Sequence, residues 1–341
     1  MGDTMKKILL LLLLIPLNVK AINTSASSAI LMDMDSGRVL YAKNIYEPKL
    51  IASTSKIMTA ILAIESGKLD NKVAIGSEID ESHGSGIYIK KGEVLSLKDL
   101  VYGLMLRSGN DASYSIAKYV SGSVDKFVKL MNKKAKSLGL EDTIFYNPNG
   151  LYEEKGNYST AYDMALLTSY AMKNKMYKKI VKTKSYKLTT NMNTYHWINK
   201  NKLLFNYEYT TGGKTGYTKK AKRTLVTTAS KNKMNLVVVT LNDENDWQDH
   251  KNLFEFGFNN YKKYHILRKG YINVVDEYYK NYKHYIKHNY DYLLSKKEKN
   301  QIVLKIVIDK KRKIKNNMKI GTIDVYLHKK LIHKESLYIK R

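Results

Sequence analysis

Cysteine is absent from the chain, which excludes a disulfide framework, a thiol nucleophile and any cysteine-ligated metal. The core must hold by packing alone. Past the N-terminal segment no run is apolar enough to span a bilayer, which takes about 20 residues. There is no G-x-S-x-G turn, and none of the eight histidines adjoins a motif of the hydrolytic kind, so a Ser-His-acid triad is disfavoured. Zinc hydrolysis fares no better. His284 and His288 have i,i+4 spacing but lack the H-E-x-x-H glutamate, and they read as an exposed pair in a β-rich region. Gly213-Lys214-Thr215 is not a phosphate loop, because the glycine that such a loop requires five positions before Gly213 is replaced by Glu208. Neither a metal nor a cofactor is expected. Zinc-finger and RNA-recognition signatures are missing, as are internal repeats and low-complexity linkers.

Acidic residues are scarce relative to basic ones: 31 Asp+Glu stand against 59 Lys+Arg, a formal net charge of +28. Such a chain attracts polyanions. The basic residues are scattered rather than gathered into one arm, which disfavours nucleic acid and leaves anionic wall polymers or lipid head groups as partners.

The 341 residues, 43% of them hydrophobic, suffice for one large domain and a smaller one. Lys6-Lys7, the apolar run 8–15, Pro16 and Val19-Lys20-Ala21 form a secretory signal pattern with cleavage after Ala21. Residues 1–21 are therefore expected to be removed, with Met5 as an alternative start, and the mature protein to be exported to the cell envelope or beyond. Short apolar runs at 29–33 and 38–41 flank Asp35-Ser36-Gly37 as a hairpin. Over 54–65, Ile57, Met58, Ile61, Leu62 and Ile64 recur at helical spacing and Ser66-Gly67 closes the run, so Ser53 sits at a helix N-terminus. Helices are also predicted over 97–105, 112–120, 124–138 and 161–172. Strands are predicted over 223–229 and 236–241, separated by a turn at 230–233. Strands at both ends with helices between them indicate an α+β domain, an antiparallel sheet packed by helices. Past Phe258 short alternating strands such as 302–308 and 321–327 indicate a small all-β domain. The division is placed near Lys262, giving 22–262 and 263–341.

Three short motifs follow in order: Ser53-Thr54-Ser55-Lys56, Ser108-Gly109-Asn110 and Lys214-Thr215-Gly216. A serine hydroxyl is a poor nucleophile until a neighbouring base takes its proton. Residues three apart on a helix share a face, so Lys56 can reach the Ser53 oxygen. A lysine accepts a proton only when neutral, and desolvation together with positive charge from the helix N-terminus and Lys214 lowers its pKa. Taken alone, S-x-x-K is equally satisfied by a serine that merely caps a helix, and S-x-N by a loop turn. In the second motif Ser108 is a candidate proton relay to a leaving amine, and Asn110 a candidate holder of the substrate's peptide. The third motif reads as an edge strand where Lys214 and Thr215 grip a carboxylate and Gly216 permits close backbone approach.

With these motifs the chain resembles the D-alanyl-D-alanine carboxypeptidases of the penicillin-binding protein superfamily, over nearly its whole mature length. The contexts match as well: Ile51-Ala52-Ser53-Thr54-Ser55-Lys56-Ile57-Met58-Thr59, Met105-Leu106-Arg107-Ser108-Gly109-Asn110-Asp111-Ala112, and Gly213-Lys214-Thr215-Gly216-Tyr217-Thr218. Asn147-Pro148-Asn149-Gly150-Leu151 and the following Tyr158-Ser159-Thr160-Ala161-Tyr162-Asp163 are similar to the family's loop-then-helix segment. The resemblance implies a β-lactamase/transpeptidase-like domain with a five-stranded antiparallel sheet between helices and a helical lobe. It also implies an oxyanion hole from the backbone N–H groups of Ser53 and Tyr217, each such donor contributing ~10²–10³ in rate. The implied substrate is a peptidoglycan stem peptide ending in D-Ala-D-Ala, with β-lactams as covalent inhibitors.

The chain departs from the family pattern in three places. Asn149 stands where many members have histidine. Residues 243–248 lack the arginine that several members place near the substrate carboxylate. The sequence ends at Ile339-Lys340-Arg341, with no amphipathic lipid anchor expected there. Two rival readings remain: a β-lactamase-like hydrolase, for which Glu153 and Asn157 have the E-x-x-x-N spacing, and an inactive envelope-binding homologue.

Overall fold

The structure, a computed structural model, describes residues 22–152 and 154–341. The expected signal segment 1–21 and Glu153 lie outside the described residues. Five strands, β1 (Ser28–Asp33), β2 (Val39–Lys43), β3 (Thr210–Thr218), β4 (Lys222–Lys231) and β5 (Met234–Leu241), form one antiparallel sheet in the order β2-β1-β5-β4-β3. The β4–β5 turn is tighter than the sequence suggested. Asn232 and Lys233 alone make it, both at positive φ (52° and 64°), the mirror-image geometry that matches strand twist.

The sheet is covered on both sides, which explains why β1 and β5 read as unbroken apolar runs rather than alternating ones. Ile30, Met32, Val237 and Val239 face a large core with the helices of the first half, whereas Leu31, Leu236 and Val238 face a second cluster. The first set of helices is α1 (Lys56–Glu65), α2 (Leu97–Arg107), α3 (Asn110–Ser121), α4 (Val124–Ser137), α5 (Ala161–Ala171) and α6 (Lys175–Lys182). Ser96 and Asp99 form a reciprocal capping box at the start of α2, satisfying backbone donors that a helix start leaves unpaired. The opposite face of the sheet is covered by α7 (Asp246–Asn260), whose Leu253, Phe254 and Phe258 belong to the second cluster.

The chain passes from α7 directly into β6 (Tyr261–Leu267), so Lys262 falls inside a strand. A second five-stranded sheet holds β7 (Gly270–Ile272), β8 (Lys283–Ile286), β10 (Ile302–Ile308), β11 (Lys319–Leu327) and β12 (Lys330–Lys340), in the order β7-β8-β12-β11-β10, while β6 pairs with β9 (Tyr290–Ser295). This C-terminal sheet has its own smaller core around Tyr279, Ile323, Val325 and Leu337. Leu293 of β9 instead joins the cluster under α7. Arg38, beside the β1–β2 turn, donates to the Leu293 carbonyl and to Glu298 at 2.5 Å, and its guanidinium lies 5.0 Å from the Tyr292 ring centroid. Lys263 pairs with Asp35 at 2.6 Å.

The exposed histidine pair expected at 284 and 288 does not form. His284 is buried on β8, while His288 stands in solvent beyond the strand's end, 3.1 Å from Glu335. A spacing of four brings side chains together on a helix but not along a strand.

Candidate active site

Ala52–Ser55 form a single 3₁₀ turn that feeds into α1. Ser53 therefore lies just ahead of the α-helix proper, and Lys56 is its first residue. Ala52 takes φ +46°, a left-handed conformation that costs a residue with a β-carbon about 1–3 kcal/mol. Its neighbours hold it there: the Ile51 carbonyl accepts from Thr54 Oγ1 at 2.5 Å and from Thr224 Oγ1 at 3.1 Å, and the Ala52 carbonyl accepts from Ser55 Oγ at 2.7 Å. Gly216 on β3 lies so close to this turn that a β-carbon there would stand 3.1 Å from the Ser53 nitrogen and 2.3 Å from Thr224 Oγ1. β3 lies at the edge of the sheet.

Lys56 Nζ stands 2.9 Å from Ser53 Oγ, 2.7 Å from Asn110 Oδ1 and 2.6 Å from the Asn149 carbonyl oxygen. The last two partners can only accept. Asn110 is fixed in that sense because its Nδ2 donates to the His83 carbonyl at 2.5 Å. A neutral amine has two hydrogens and one lone pair, so with both hydrogens given to Asn110 and Asn149 the lone pair is left for the Ser53 hydroxyl proton. Lys56 is fully buried and, among the described residues, has no carboxylate on its ammonium. Burial first, then the charges of Lys214 and Lys200, push its pKa well below the usual lysine range, against a smaller opposing pull from Asp111. Lys214, also buried, is brought down to about 7 by burial and then by Lys200.

The loop carrying Asn149 is tied down by Thr59 Oγ1, which donates to the Pro148 carbonyl at 2.7 Å, and by Asn147 Oδ1, which accepts from the Gly150 N–H at 2.7 Å. The departure from histidine at 149 leaves this contact intact because the acceptor is the main-chain oxygen. Asn110 Oδ1 and one Nδ2 hydrogen are thus engaged within the protein, which leaves the second hydrogen for another partner. Its contacts make it a positioning residue for Lys56.

A cavity of about 290 Å³ opens at Ser53, with Ser108, Thr215, Gly216 and Tyr217 on its walls. Lys214 is not among its lining residues; its ammonium is buried and donates to the Thr215 carbonyl at 2.7 Å. Two cations not anticipated from the sequence line it instead, Lys200 and Arg223. Arg223, the second residue of β4, stands directly opposite Tyr217, and Asp246 aims it through a two-point contact at 3.1 and 2.6 Å. A larger cavity of about 450 Å³ lies elsewhere, beside Met34 and Met172.

A family model described as D-alanyl-D-alanine carboxypeptidase matches residues 16–245, more than half of the chain. The chain belongs to the D-alanyl-D-alanine carboxypeptidase family. Among curated members, DacF of Bacillus subtilis is 38% identical over 255 residues, covering 72% of this chain and 65% of that protein. DacC of Escherichia coli is 35% identical over 255 residues, covering 70% and 63%. The matched region thus spans slightly less than two thirds of these two family members. Among solved structures, penicillin binding protein 5 from Haemophilus influenzae superposes with a TM-score of 0.80 at 26% identity, covering 95% of this chain and 98% of that one. That superposition extends well beyond the region the family model matches, which ends at 245.

Proposed function

We propose that this member of the family is a serine-type D-Ala-D-Ala carboxypeptidase. The observation that carries the reading is the 2.9 Å contact between Ser53 Oγ and a buried Lys56 whose other two partners among the described residues are acceptors. Lys56 takes the Ser53 proton as Oγ attacks the carbonyl between the two D-alanines. The developing oxyanion lies toward the Ser53 and Tyr217 backbone N–H groups, where preorganised donors act. Collapse breaks the C–N bond, and the leaving amine takes a proton from Lys56 relayed by Ser108. D-alanine departs, Lys56 draws a proton from water as its oxygen attacks the ester carbon, and on collapse the bond to Oγ breaks and Lys56 returns the proton to Ser53. A β-lactam follows the first half of this path, but its leaving nitrogen stays tethered and the ester persists.

A carboxypeptidase must read a free terminal carboxylate. Thr215 offers a hydroxyl, and Lys200 and Arg223 offer charge, and all three line the cavity at Ser53. Charge-assisted hydrogen bonds of this kind discriminate strongly. The decisive assay is hydrolysis of matched D-Ala-D-Ala peptides with free and amidated termini. The free peptide should be cleaved, and Thr215→Val or Arg223→Gln should shrink the preference roughly tenfold to a hundredfold. Failure to hydrolyse the free peptide, with the protein folded, would favour the inactive homologue. Against a β-lactamase-like site, the Asn157 amide is spent on Ser55 Oγ at 3.0 Å and the Asn147 carbonyl at 2.9 Å rather than being free to hold a hydrolytic water.

The N-terminal signal pattern and the extracellular nature of such a substrate support an extracytoplasmic site of action. No helix among the described residues is long and apolar enough to cross a membrane. The net charge of +28 supports retention by anionic wall polymers or lipid head groups, an attraction that salt screens.

A further inference from the structure

Away from the active site, an apolar surface is left uncovered at the edge of the C-terminal sheet. β10 pairs with β11 on one side and with no strand among the described residues on the other. Val303 is 60% exposed, Leu304 48%, Ile306 41% and Val307 39%. Leu304 and Ile306 stand opposite Val325 and Ile323 of the core, so they carry the core's own face past its cover, while Val303 and Val307 stand on the other face opposite Tyr326 and Thr322. Edge strands are ordinarily blunted with charge. This one has a single charge, Lys305 at its centre.

Both ends of the strand are basic. The segment leaving it carries Lys310, Lys311, Arg312, Lys313 and Lys315, all exposed, with Ile314 among them and one acid, Asp309, already paired with Lys311. At the other end the β11–β12 turn presents Lys329 and Lys330 beside the half-exposed Leu331, and the Ile302–Leu327 pairing sets that turn next to the start of β10.

We infer that this edge docks on an anionic phospholipid surface, with β10 in the headgroup zone and the flanking lysines on lipid phosphates. Exposed apolar side chains ringed by Lys and Arg are the composition of an interfacial element. The unpaired backbone groups of the outer edge place it among water and headgroups rather than in hydrocarbon, where they would go unsatisfied. A second copy fits worse. Antiparallel self-pairing about the strand's centre sets Lys305 opposite Lys305 and each basic end beside another, and like charges directly opposite are destabilising. A soluble polyanion would leave the four apolar side chains in water. This inference is independent of the reaction proposed above.

The test is hydrogen–deuterium exchange of the full chain, read at residues 302–315, with phosphatidylglycerol vesicles, phosphatidylcholine vesicles or soluble polyphosphate. Reading the segment itself keeps any binding by the N-terminal apolar run from entering the result. Protection should appear with phosphatidylglycerol vesicles alone. The double substitution L304Q/I306Q should weaken vesicle binding by this segment at least about tenfold, and K310Q or K313Q about fivefold each at low salt, all without changing acylation by penicillin. Protection that grows with protein concentration in the absence of lipid would make this a self-association edge. Equal protection by polyphosphate would make it a polyanion site, and no protection by phosphatidylglycerol vesicles would remove the inference altogether.

Discussion

Lys56 and Lys214 lie behind the edge of the first sheet at 0% and 1% exposure, whereas Lys305, Lys310 and Lys313 of the C-terminal sheet stand in solvent. Among the described residues neither buried lysine has a carboxylate on its ammonium, while the half-buried Arg38 that joins the two regions is matched by Glu298. A buried, unpaired cation is among the costlier arrangements a fold can contain. The protein tolerates it where a neutral amine has work to do and avoids it where only cohesion is needed. The joint between the two sheets is thus paired for cohesion, whereas the first sheet gives up stability at its edge around Ser53.

The sharpest way to break that contrast is to remove the first buried lysine. Lys56→Met keeps the length and the apolar stem, and it should reduce acylation by penicillin about 10²–10⁴-fold, the contribution of a positioned general base. The same substitution should raise the melting temperature near neutral pH, because an unpaired buried amine is replaced by a side chain that suits the site. Lower activity combined with lower stability would mean that the site is not strained by burial.

Lys214→Met sharpens the comparison through pH. An unfolded lysine titrates at 10.5 and the folded Lys214 at about 7. Below about 7 both states hold the proton, and from there to 10.5 only the unfolded chain does, so stability rises with pH across that window. The variant lacks this slope, and its stability advantage should be largest below pH 7 and shrink toward pH 10.5. Losing the Lys214 charge also raises the Lys56 pKa, so the ascending limb of acylation against pH should move to higher pH. Denaturant melts at several pH values and a stopped-flow acylation profile check the two parts separately.

A smaller effect is expected at the joint between the regions. Burial alone would raise the Glu298 carboxyl, but hydrogen bonds from Ser295 and the Arg38 guanidinium bring it down to about 2. A depressed carboxylate stabilises above its unfolded value of 4.5, and that stability is lost as pH falls toward 2. Arg38→Ala should cost roughly 1.5–3 kcal/mol at pH 7, less at pH 3, and leave acylation of Ser53 unchanged.

Much of the N-terminal domain was legible because its signals are local. Ser53 and Lys56 are three apart on one turn, and the apolar spacing of Ile57, Met58 and Ile61 marks α1. The hairpin of β1 and β2 follows from two apolar runs and a glycine turn. What stayed hidden depends on register and on long-range contacts. Arg223 is six residues past Tyr217 in sequence, and only the β3–β4 pairing sets the two side by side. Lys200 gave one faint signal, the asparagines on either side. Asn199 and Asn201 are buried and hold turns through their side chains, the Asn199 Oδ1 accepting from the Asn201 N–H at 2.9 Å. The contact of Asn149 with Lys56 was illegible because it is made by a backbone oxygen that any residue would carry. His284 and His288 misled for the opposite reason: their spacing has meaning only on a helix, and they sit at the end of a strand.

The most direct test of the central claim is mass spectrometry of the protein after brief incubation with benzylpenicillin, followed by proteolysis. One penicilloyl group per chain should be found on the peptide carrying Ser53, and Ser53→Ala should abolish both that adduct and hydrolysis of a D-Ala-D-Ala peptide. An adduct on any other peptide, or unimpaired turnover by Ser53→Ala, would contradict the account.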